Sequence, residues 1–280
     1  MSLAIVAILS AGWTHQDTVF HIITSAQTPN LLLSLILWVM LHTISPYFTV
    51  FLFRSIGHPI SYQNAFLIHN IRLPAKYIPG GIWHTAARAT DYYKLGLPPQ
   101  DVGIYLVLEN IIQLIVTFTL GSLIVISFVN TLALKTMLAT ILFGSLTTLI
   151  LIPFALRYFY QNTLRPINLP RYFITIAISS CYWIIASISF ALFLSAFPEL
   201  TFELSYIEVG GTYMLSWAVG YIAIFAPQGI GVSEFVFSTI VPGNIQTTGL
   251  IAFIATFRVL ALAGDMCAWL VAVLMTKIKS

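Results

Sequence analysis

Residues 76–88 read KYIPGGIWHTAAR and place a proline and two glycines inside a chain that is otherwise almost continuously apolar. Proline removes a backbone donor and glycine carries a large entropic cost of staying helical, so this stretch interrupts a helix. Hydrocarbon penalises such a break because it holds no water to satisfy the backbone groups that the break frees. The stretch therefore needs a special environment, and two charged residues, Lys76 and Arg88, stand at its ends.

The composition indicates the class of protein. Of the 280 residues, 59% are hydrophobic and only 8% are charged, which leaves too little polar surface to cover a soluble globule. Charge-free blocks long enough to cross a bilayer as helix recur along the chain, and no alternating ten-residue pattern indicates a barrel. The sequence therefore predicts an all-α polytopic membrane protein in which residues 1–280 form a single integral membrane domain.

Five spans are predicted, at about residues 31–56, 100–128, 132–157, 172–197 and 246–276. Two less regular segments, at about residues 60–95 and 203–243, contain the helix breaks. Residues 1–13 are apolar but short for a span. A strongly tilted helix, an interfacial helix and the remnant of a longer first helix all stay open for them.

The charges outside the spans are unevenly distributed if each irregular segment leaves the membrane by the face at which it entered. One face then carries Arg54, Lys94, Arg157, Arg165, Arg171, Lys277 and Lys279, and the other carries Asp17, Glu199, Glu203, Glu208 and Lys135. By the positive-inside rule, the basic face, which includes the C-terminus, is cytoplasmic in a bacterial or archaeal plasma membrane. A full crossing by either segment would divide the basic loops between faces, so the charges favour two re-entrant segments.

A second break is similar to the first. Residues 79–82, PGGI, and residues 227–230, PQGI, share the pattern P-x-G-I at a separation of 148 residues. The same offset carries the first predicted span onto the fourth and the second onto the fifth. Three crossings separate the breaks, so the unit at about 172–276 should be inverted relative to the unit at about 31–128, as in secondary transporters. Two unrelated loop prolines are the alternative.

Four charged residues fall inside the predicted membrane region, where each needs a partner, a water-filled cavity or a function. Arg88 and Glu109 follow the first break, and Glu234 and Arg258 follow the second, with the signs exchanged. We predict that opposite charges pair across the two units, Arg88 with Glu234 or Glu109 with Arg258. Asp265 is predicted as a further partner of Arg258, seven residues along the same helix face. Internal salt bridges that never meet a substrate are the alternative.

Each break should be followed by a new helix start, at about Ile82 and at about Ile230. Helix starts carry unpaired N–H groups and the positive end of the helix dipole, so two of them at mid-depth predict an anion site. With two arginines nearby, the predicted guest is a phosphate or carboxylate headgroup, which Lys76 and Arg72 draw from the cytoplasmic leaflet while a buried glutamate exchanges a proton. The candidate translocation residues are Lys76, Pro79, Gly80, Gly81, Arg88, Glu109, Pro227, Gly229, Gly231, Glu234 and Arg258.

The other residues with possible chemistry give no predicted centre. The six histidines show no metal-ligand spacing, most of them stand near predicted interfaces, and only His84 adjoins a break and is a candidate to line a cavity. Cys181 and Cys267 are predicted to be packing residues. No nucleophile motif, metal cluster or phosphate-binding glycine loop is recognisable, so we predict no cofactor, no enzyme activity and no nucleic-acid partner.

Several motifs together resemble a known family: KYIPGGIW followed by Arg88, VLENIIQL around Glu109, FAPQGIGVSEFVF, and the later Arg258. Over about residues 30–276 the chain resembles stand-alone members of the lysylphosphatidylglycerol synthase transmembrane-region family, the flippase-type membrane domain of multiple-peptide-resistance proteins. The resemblance matches Pro79, Gly80, Arg88, Glu109, Pro227, Gly229, Gly231 and Glu234 to motif positions. Two departures are Ser233, where the family commonly has an arginine before its glutamate, and the lack of a soluble synthase domain, so aminoacyl transfer is not implied.

Two classes of function follow, and a third, an intramembrane enzyme, is disfavoured because no nucleophile, metal cluster or catalytic dyad is recognisable. The resemblance and the predicted anion site favour a flippase-like transporter that moves an anionic phospholipid or a polyprenyl-linked glycolipid between leaflets. The alternative is a non-catalytic membrane partner or scaffold of a glycosyltransferase in cell-envelope lipid or glycan assembly. The sequence predicts no particular oligomeric state.

Overall fold

The computed structural model describes residues 26–78, 83–159, 167–197, 204–223, 226, 229–241 and 247–277. Within these residues the chain forms nine α-helices and one short 3₁₀ helix, and no β-strand. In order they are α1 (Thr28–Ser55), α2 (Tyr62–Ile71), the 3₁₀ helix (Leu73–Tyr77), α3 (Trp83–Lys94), α4 (Pro99–Phe128), α5 (Leu132–Phe159), α6 (Leu169–Ser195), α7 (Tyr206–Ile222), α8 (Val232–Ile240) and α9 (Thr247–Lys277). The protein is an all-α polytopic membrane protein.

Five helices are long and apolar enough to cross a membrane: α1, α4, α5, α6 and the Thr256–Lys277 part of α9. They coincide with the five predicted spans, which are thereby confirmed. The irregular segments hold α2, α3, α7 and α8. At a rise of about 1.5 Å per residue, α2, α3 and α8 reach only about 14–18 Å, roughly half of a bilayer core. Each irregular segment thus contains a helix too short to cross alone, as the re-entrant prediction requires.

The first helices of the two units run antiparallel. At one end, the Gln27 N–H donates to the Ala196 carbonyl oxygen at 2.6 Å, and at the other end the Asn168 N–H donates to the Ser55 carbonyl oxygen at 2.9 Å. The start of α1 therefore lies beside the end of α6, and the end of α1 lies beside the start of α6. Because α1 and α6 are corresponding helices, their opposite directions mean that the second unit is inverted relative to the first.

Contacts between helices repeat when the two units are exchanged. The hydroxyl of Ser34 donates to the carbonyl oxygen of Ser189 at 2.7 Å, and the hydroxyl of Ser189 donates to the carbonyl oxygen of Ser34 at 2.8 Å. Helix α4 packs on α6 and α7, and its counterpart α9 packs on α1 and α2. Likewise α3 packs on α4 as α8 packs on α9. The predicted inverted repeat is confirmed, with α5 as the extra helix between the units.

Glycine allows the central helices α4 and α7 to approach closely, as is common between membrane helices. A Cβ atom on Gly121 would lie 2.7 Å from the backbone nitrogen of Leu215. The interface between the units is therefore in backbone contact at this point, which fixes the distance between them.

The break residues 79–82 and 227–228 lie outside the described residues, as do residues 1–13. The helices that follow the breaks begin at Trp83 and Val232. These starts come one and two residues after the predicted ones, and the shift is within the usual uncertainty of a helix boundary.

Candidate functional site

The first buried ion pair joins α3 to α4. Arg88 is only 4% exposed, and its Nη2 lies 2.8 Å from Oε1 of Glu109. The same nitrogen donates to the hydroxyls of Tyr92 and Tyr105, and the Tyr105 hydroxyl donates to Glu109 at 2.9 Å. Gly96, with φ of 81°, sits in the turn that folds α4 back against α3. This local turn brings the two charges together.

The second ion pair joins α8 to α9. Arg258 places Nε and Nη2 each 2.9 Å from Oε1 of Glu234, and Nη2 also donates to the Ser233 hydroxyl at 2.9 Å. The Glu234 side chain is 2% exposed and the Arg258 side chain 31%. Ser233 therefore serves as a hydrogen-bond partner of the arginine that α9 supplies.

The pairing predicted across the two units is wrong. Each arginine pairs with the glutamate of its own unit, because the short helix after each break packs directly on the next long helix of that unit. The order of the two charges still differs between the units, since arginine comes first in one unit and glutamate comes first in the other. The site therefore holds two separate, internally neutral pairs.

The positive end of α8 is occupied by the protein itself. Oε2 of Glu234 accepts the N–H of Gly231, the residue that caps α8, at 2.8 Å. Since glycine has no side chain, this is the glutamate half of a capping box alone. The predicted anion site at this helix start is thus filled by a carboxylate of the chain.

Two glycines shape the second break. Gly229 and Gly231 have φ of 69° and 87°, a region that side chains with a Cβ atom rarely adopt. A Cβ atom on Gly229 would lie 2.7 Å from the backbone carbon and oxygen of Gly220 in α7. The break therefore packs backbone against backbone on the helix that leads into it. The other predicted break residues, Pro79, Gly80, Gly81 and Pro227, lie outside the described residues.

A second polar cluster, which the sequence did not predict, centres on Asp265 in α9. The Asp265 side chain is fully buried, and Oδ1 accepts from Trp38 Nε1 at 3.1 Å and contacts His42 Nε2 at 2.8 Å. Oδ2 accepts from the Tyr77 hydroxyl at 2.7 Å and pairs with the ammonium of Lys76. Four groups from the first unit thus surround one carboxylate of the second.

Two histidines extend this cluster. Nδ1 of His42 lies 3.2 Å from Nε2 of His69, and Nδ1 of His69 lies 3.4 Å from the Ser45 hydroxyl. His42 and His69 are 4% and 8% exposed. The ring of His84 stands edge-on to that of His69 at 6.3 Å, and its buried Nε2 has no hydrogen-bond partner among the described residues. His42, His69 and Asp265 therefore form one buried chain.

This cluster corrects the prediction made for Asp265 and shows the surroundings of three other residues. Asp265 is not a partner of Arg258, since seven residues advance a helix by about 10 Å and bring Asp265 against other neighbours. Lys76 pairs with Asp265, and its side chain is 32% exposed. His42 and His69 are buried within the protein. The sequence signal that could have indicated this cluster was the presence of histidines inside charge-free segments, but no local spacing relates these histidines to one another.

Arg72, predicted to attract a headgroup, is also paired. Its Nε and Nη2 donate to the two carboxylate oxygens of Asp91 at 2.6 and 2.8 Å. A cavity of about 270 Å³ adjoins this pair between α2 and α3. Its walls include Leu67, Ile68, Ile71 and Leu95, with Arg72, Asp91 and Lys94 supplying the charges.

Comparison with models of known protein families gives no match, and comparison with curated proteins gives none either. Within the residues that the structure describes, no three histidine, cysteine or acidic side chains come together as a metal site. The fold and the site define a polytopic membrane protein of two inverted units, each with a buried ion pair directly after its helix break.

Proposed function

We propose that the protein is a flippase-like transporter that moves an anionic phospholipid or a polyprenyl-linked glycolipid between leaflets. The observation that carries the proposal is the pair of buried salt bridges, Arg88 with Glu109 and Glu234 with Arg258, at matching places in the two inverted units. Ionised side chains inside a membrane are expensive and mark ion or substrate pathways by default. The resemblance of the break motifs to a flippase-type family points in the same direction.

The chemistry around Arg88 suits an anionic guest. Its buried Nε has no hydrogen-bond partner among the described residues, although the guanidinium is charged and 4% exposed. An unsatisfied buried donor on a charged group is costly, so the structure gains from an acceptor brought by a ligand. The guanidinium fork matches the geometry of phosphate and carboxylate oxygens. A phosphate headgroup would therefore be held here, with Glu109 balancing the charge when the headgroup has left.

We assign the cavity between α2 and α3 as the place where the lipid enters the protein. Its apolar walls fit an acyl or prenyl chain, and Arg72 and Lys94 at its side fit the anionic headgroup. Arg72 would have to exchange Asp91 for the headgroup, which is an exchange between partners of the same charge. The Asp91 carboxylate released in this exchange would keep Lys94, whose Nζ lies 3.9 Å from Oδ1, as its nearby cation.

The same proposal includes an orientation. Arg171 donates to the backbone oxygen of Arg54 at 3.2 Å, so two basic residues meet at the end of the bundle where α1 ends and α6 begins. By the positive-inside rule we assign this end, together with the C-terminus, to the cytoplasmic side of a plasma membrane.

A transport assay tests the proposal. Vesicles containing the purified protein and fluorescently labelled phosphatidylglycerol are treated with a membrane-impermeant quencher, and the labelled lipid that becomes accessible is measured over time. We expect wild-type protein to expose inner-leaflet lipid, and Arg88→Gln and Glu234→Gln each to abolish the movement. Lys135→Gln, at the start of α5 outside the repeat, is the matched control and should keep the wild-type rate.

Folding is controlled by the neutral double variant Arg88→Gln/Glu109→Gln, which leaves no unpaired charge behind. It should remain monodisperse yet move no labelled lipid. Unchanged rates in the variants of both pairs would remove these residues from the mechanism. No lipid movement by wild type, together with copurification of a glycosyltransferase, would replace the transporter by the scaffold alternative.

A further inference from the structure

A single direction of donation accounts for every hydrogen bond of the chain Ser45, His69, His42 and Asp265. Trp38 and Tyr77 donate to Asp265 and Lys76 pairs with it, so the carboxylate is ionised and His42 Nε2 carries a proton toward it. A neutral His42 then accepts at Nδ1, which requires that His69 carries its proton on Nε2. His69 accepts in turn at Nδ1 from the hydroxyl of Ser45.

The repeat itself does not require these titratable groups. The corresponding corner, where α4 packs on α6, is built around Gln113, whose Oε1 accepts from Trp183 Nε1 at 2.6 Å and from the Ser179 hydroxyl at 2.9 Å. The neutral amide of Gln113 accepts a hydrogen bond from a tryptophan, as the Asp265 carboxylate does where α9 packs on α1. The carboxylate and the two histidines are therefore an addition in one half of an otherwise symmetric arrangement.

We propose that His69, His42 and Asp265 form a proton-transfer chain, and that the proton it loads onto Asp265 is coupled to movement of the anionic headgroup. The coupling rests on the proposed function, whereas the proton transfer does not. A proton arrives at Nδ1 of His69 by way of the half-buried Ser45, and His69 passes its Nε2 proton to Nδ1 of His42. His42 passes its own Nε2 proton to Oδ1 of Asp265.

The transfer balances with one proton taken up. Both imidazoles end neutral with their protons on Nδ1, and the carboxylate becomes a neutral acid that now donates to Nε2 of His42. Return of the proton along the same chain restores the starting tautomers. No imidazolium has to persist in the buried chain, which suits its surroundings of 0 to 8% exposure.

Protonation of Asp265 acts on Lys76, the last cation before the first break. The negative charge that Asp265 places beside Lys76 is then removed, three residues before Pro79. The other titratable or charged groups that face this region are Tyr77 from the 3₁₀ helix, His84 and Arg88 from α3 and Tyr182 from α6. One added positive charge beside Arg88 strengthens anion binding, so headgroup and proton should move together.

The first experiment tests the chain without any lipid movement. In ¹⁵N-histidine NMR of the purified protein near neutral pH, His42 and His69 should both be the Nε2–H tautomer. Asp265→Asn, which imitates the neutral Gln113 corner, should alter the signals of both histidines. His58 is the matched control, since its Nε2 lies 2.6 Å from Asp101 outside the chain and its signal should not change. An Nδ1–H tautomer of His42 near neutral pH, or a His69 signal unaffected by Asp265→Asn, would overturn the chain.

The second experiment tests the coupling. Vesicles with labelled phosphatidylglycerol and an internal pH dye receive a gradient of about one pH unit, which is worth about tenfold for one proton per headgroup. Wild type and His58→Gln should move lipid up to about tenfold faster with the gradient than without it. The pH inside the vesicles should change at the same time, in the direction in which protons move with the lipid. In His42→Gln this ratio should fall to about one. If wild type moves lipid at the same rate with and without the gradient, the coupling is overturned and the proposed transport function is kept. If wild type moves no lipid, both the proposed function and the coupling are overturned. The proton-transfer chain is tested separately by the histidine tautomers.

Discussion

Removing one charge of the buried pair Arg88–Glu109 should destabilise the protein far more than removing both. Arg88→Met leaves the Glu109 carboxylate with the Tyr105 hydroxyl as its remaining donor among the described contacts. Breaking a buried pair in this way costs about 3–5 kcal/mol, and Glu109→Gln should cost a similar amount because it leaves a 4% exposed guanidinium without a counter-charge. The double variant carries neither charge and should recover about 2–3 kcal/mol relative to the sum of the single changes.

The assay is a double-mutant cycle on reversible unfolding of the protein in mixed micelles, with SDS as denaturant and helical circular dichroism as the signal. The same cycle on Arg72 and Asp91 is the control, because the Arg72 side chain is 36% exposed. That pair should show a coupling of at most about 1 kcal/mol. If the two couplings are equal, or if the double variant is no more stable than Arg88→Met, the burial of Arg88 does not control its energy and the reasoning fails.

Two further predictions concern glycines. Gly229→Ala should cost about 2–4 kcal/mol in the same unfolding assay, since it adds left-handed strain and a contact at 2.7 Å to the Gly220 backbone, whereas Gly231→Ala, with nothing within 4 Å, should cost only about 1–2 kcal/mol. Equal costs would show that the contact with α7 is unimportant. Gly121→Ala should destabilise by about 1–3 kcal/mol through its contact with α7, while Gly103→Ala, which meets open space, should be neutral or stabilising by up to about 1 kcal/mol. A stable Gly121→Ala protein would contradict the close approach of α4 and α7.

The spans could be predicted from the sequence because hydrocarbon imposes the same length and apolarity on each of them. The inverted repeat could be predicted for a related reason: the motif P-x-G-I marks both breaks, and the number of crossings between the breaks fixes their relative direction. The charged positions Arg88, Glu109, Glu234 and Arg258 could also be picked out, since a charge in an apolar run is conspicuous.

The partners of these charges could not be predicted. Both glutamates are compatible with either arginine by sign, and the choice depends on which helices pack together after each turn. The Asp265 cluster was harder still, because His42, His69 and Asp265 stand on three different helices with no common spacing. The contact of Glu234 with the Gly231 N–H could not be predicted either, because it follows from the backbone conformation of the break.

The sequence by itself determined the class of protein, the positions of the five spans within the described residues, and the inverted relation of its two halves. These follow from the absence of water in hydrocarbon, which constrains each segment separately and so can be read segment by segment. The tertiary structure alone decided which buried charges neutralise one another and that one corner holds a chain of titratable groups where the other holds a neutral glutamine. Those outcomes depend on distances of about 3 Å between side chains of different helices, neighbouring in the chain for the ion pairs and distant for the Asp265 cluster, and only the packing of the helices sets such distances.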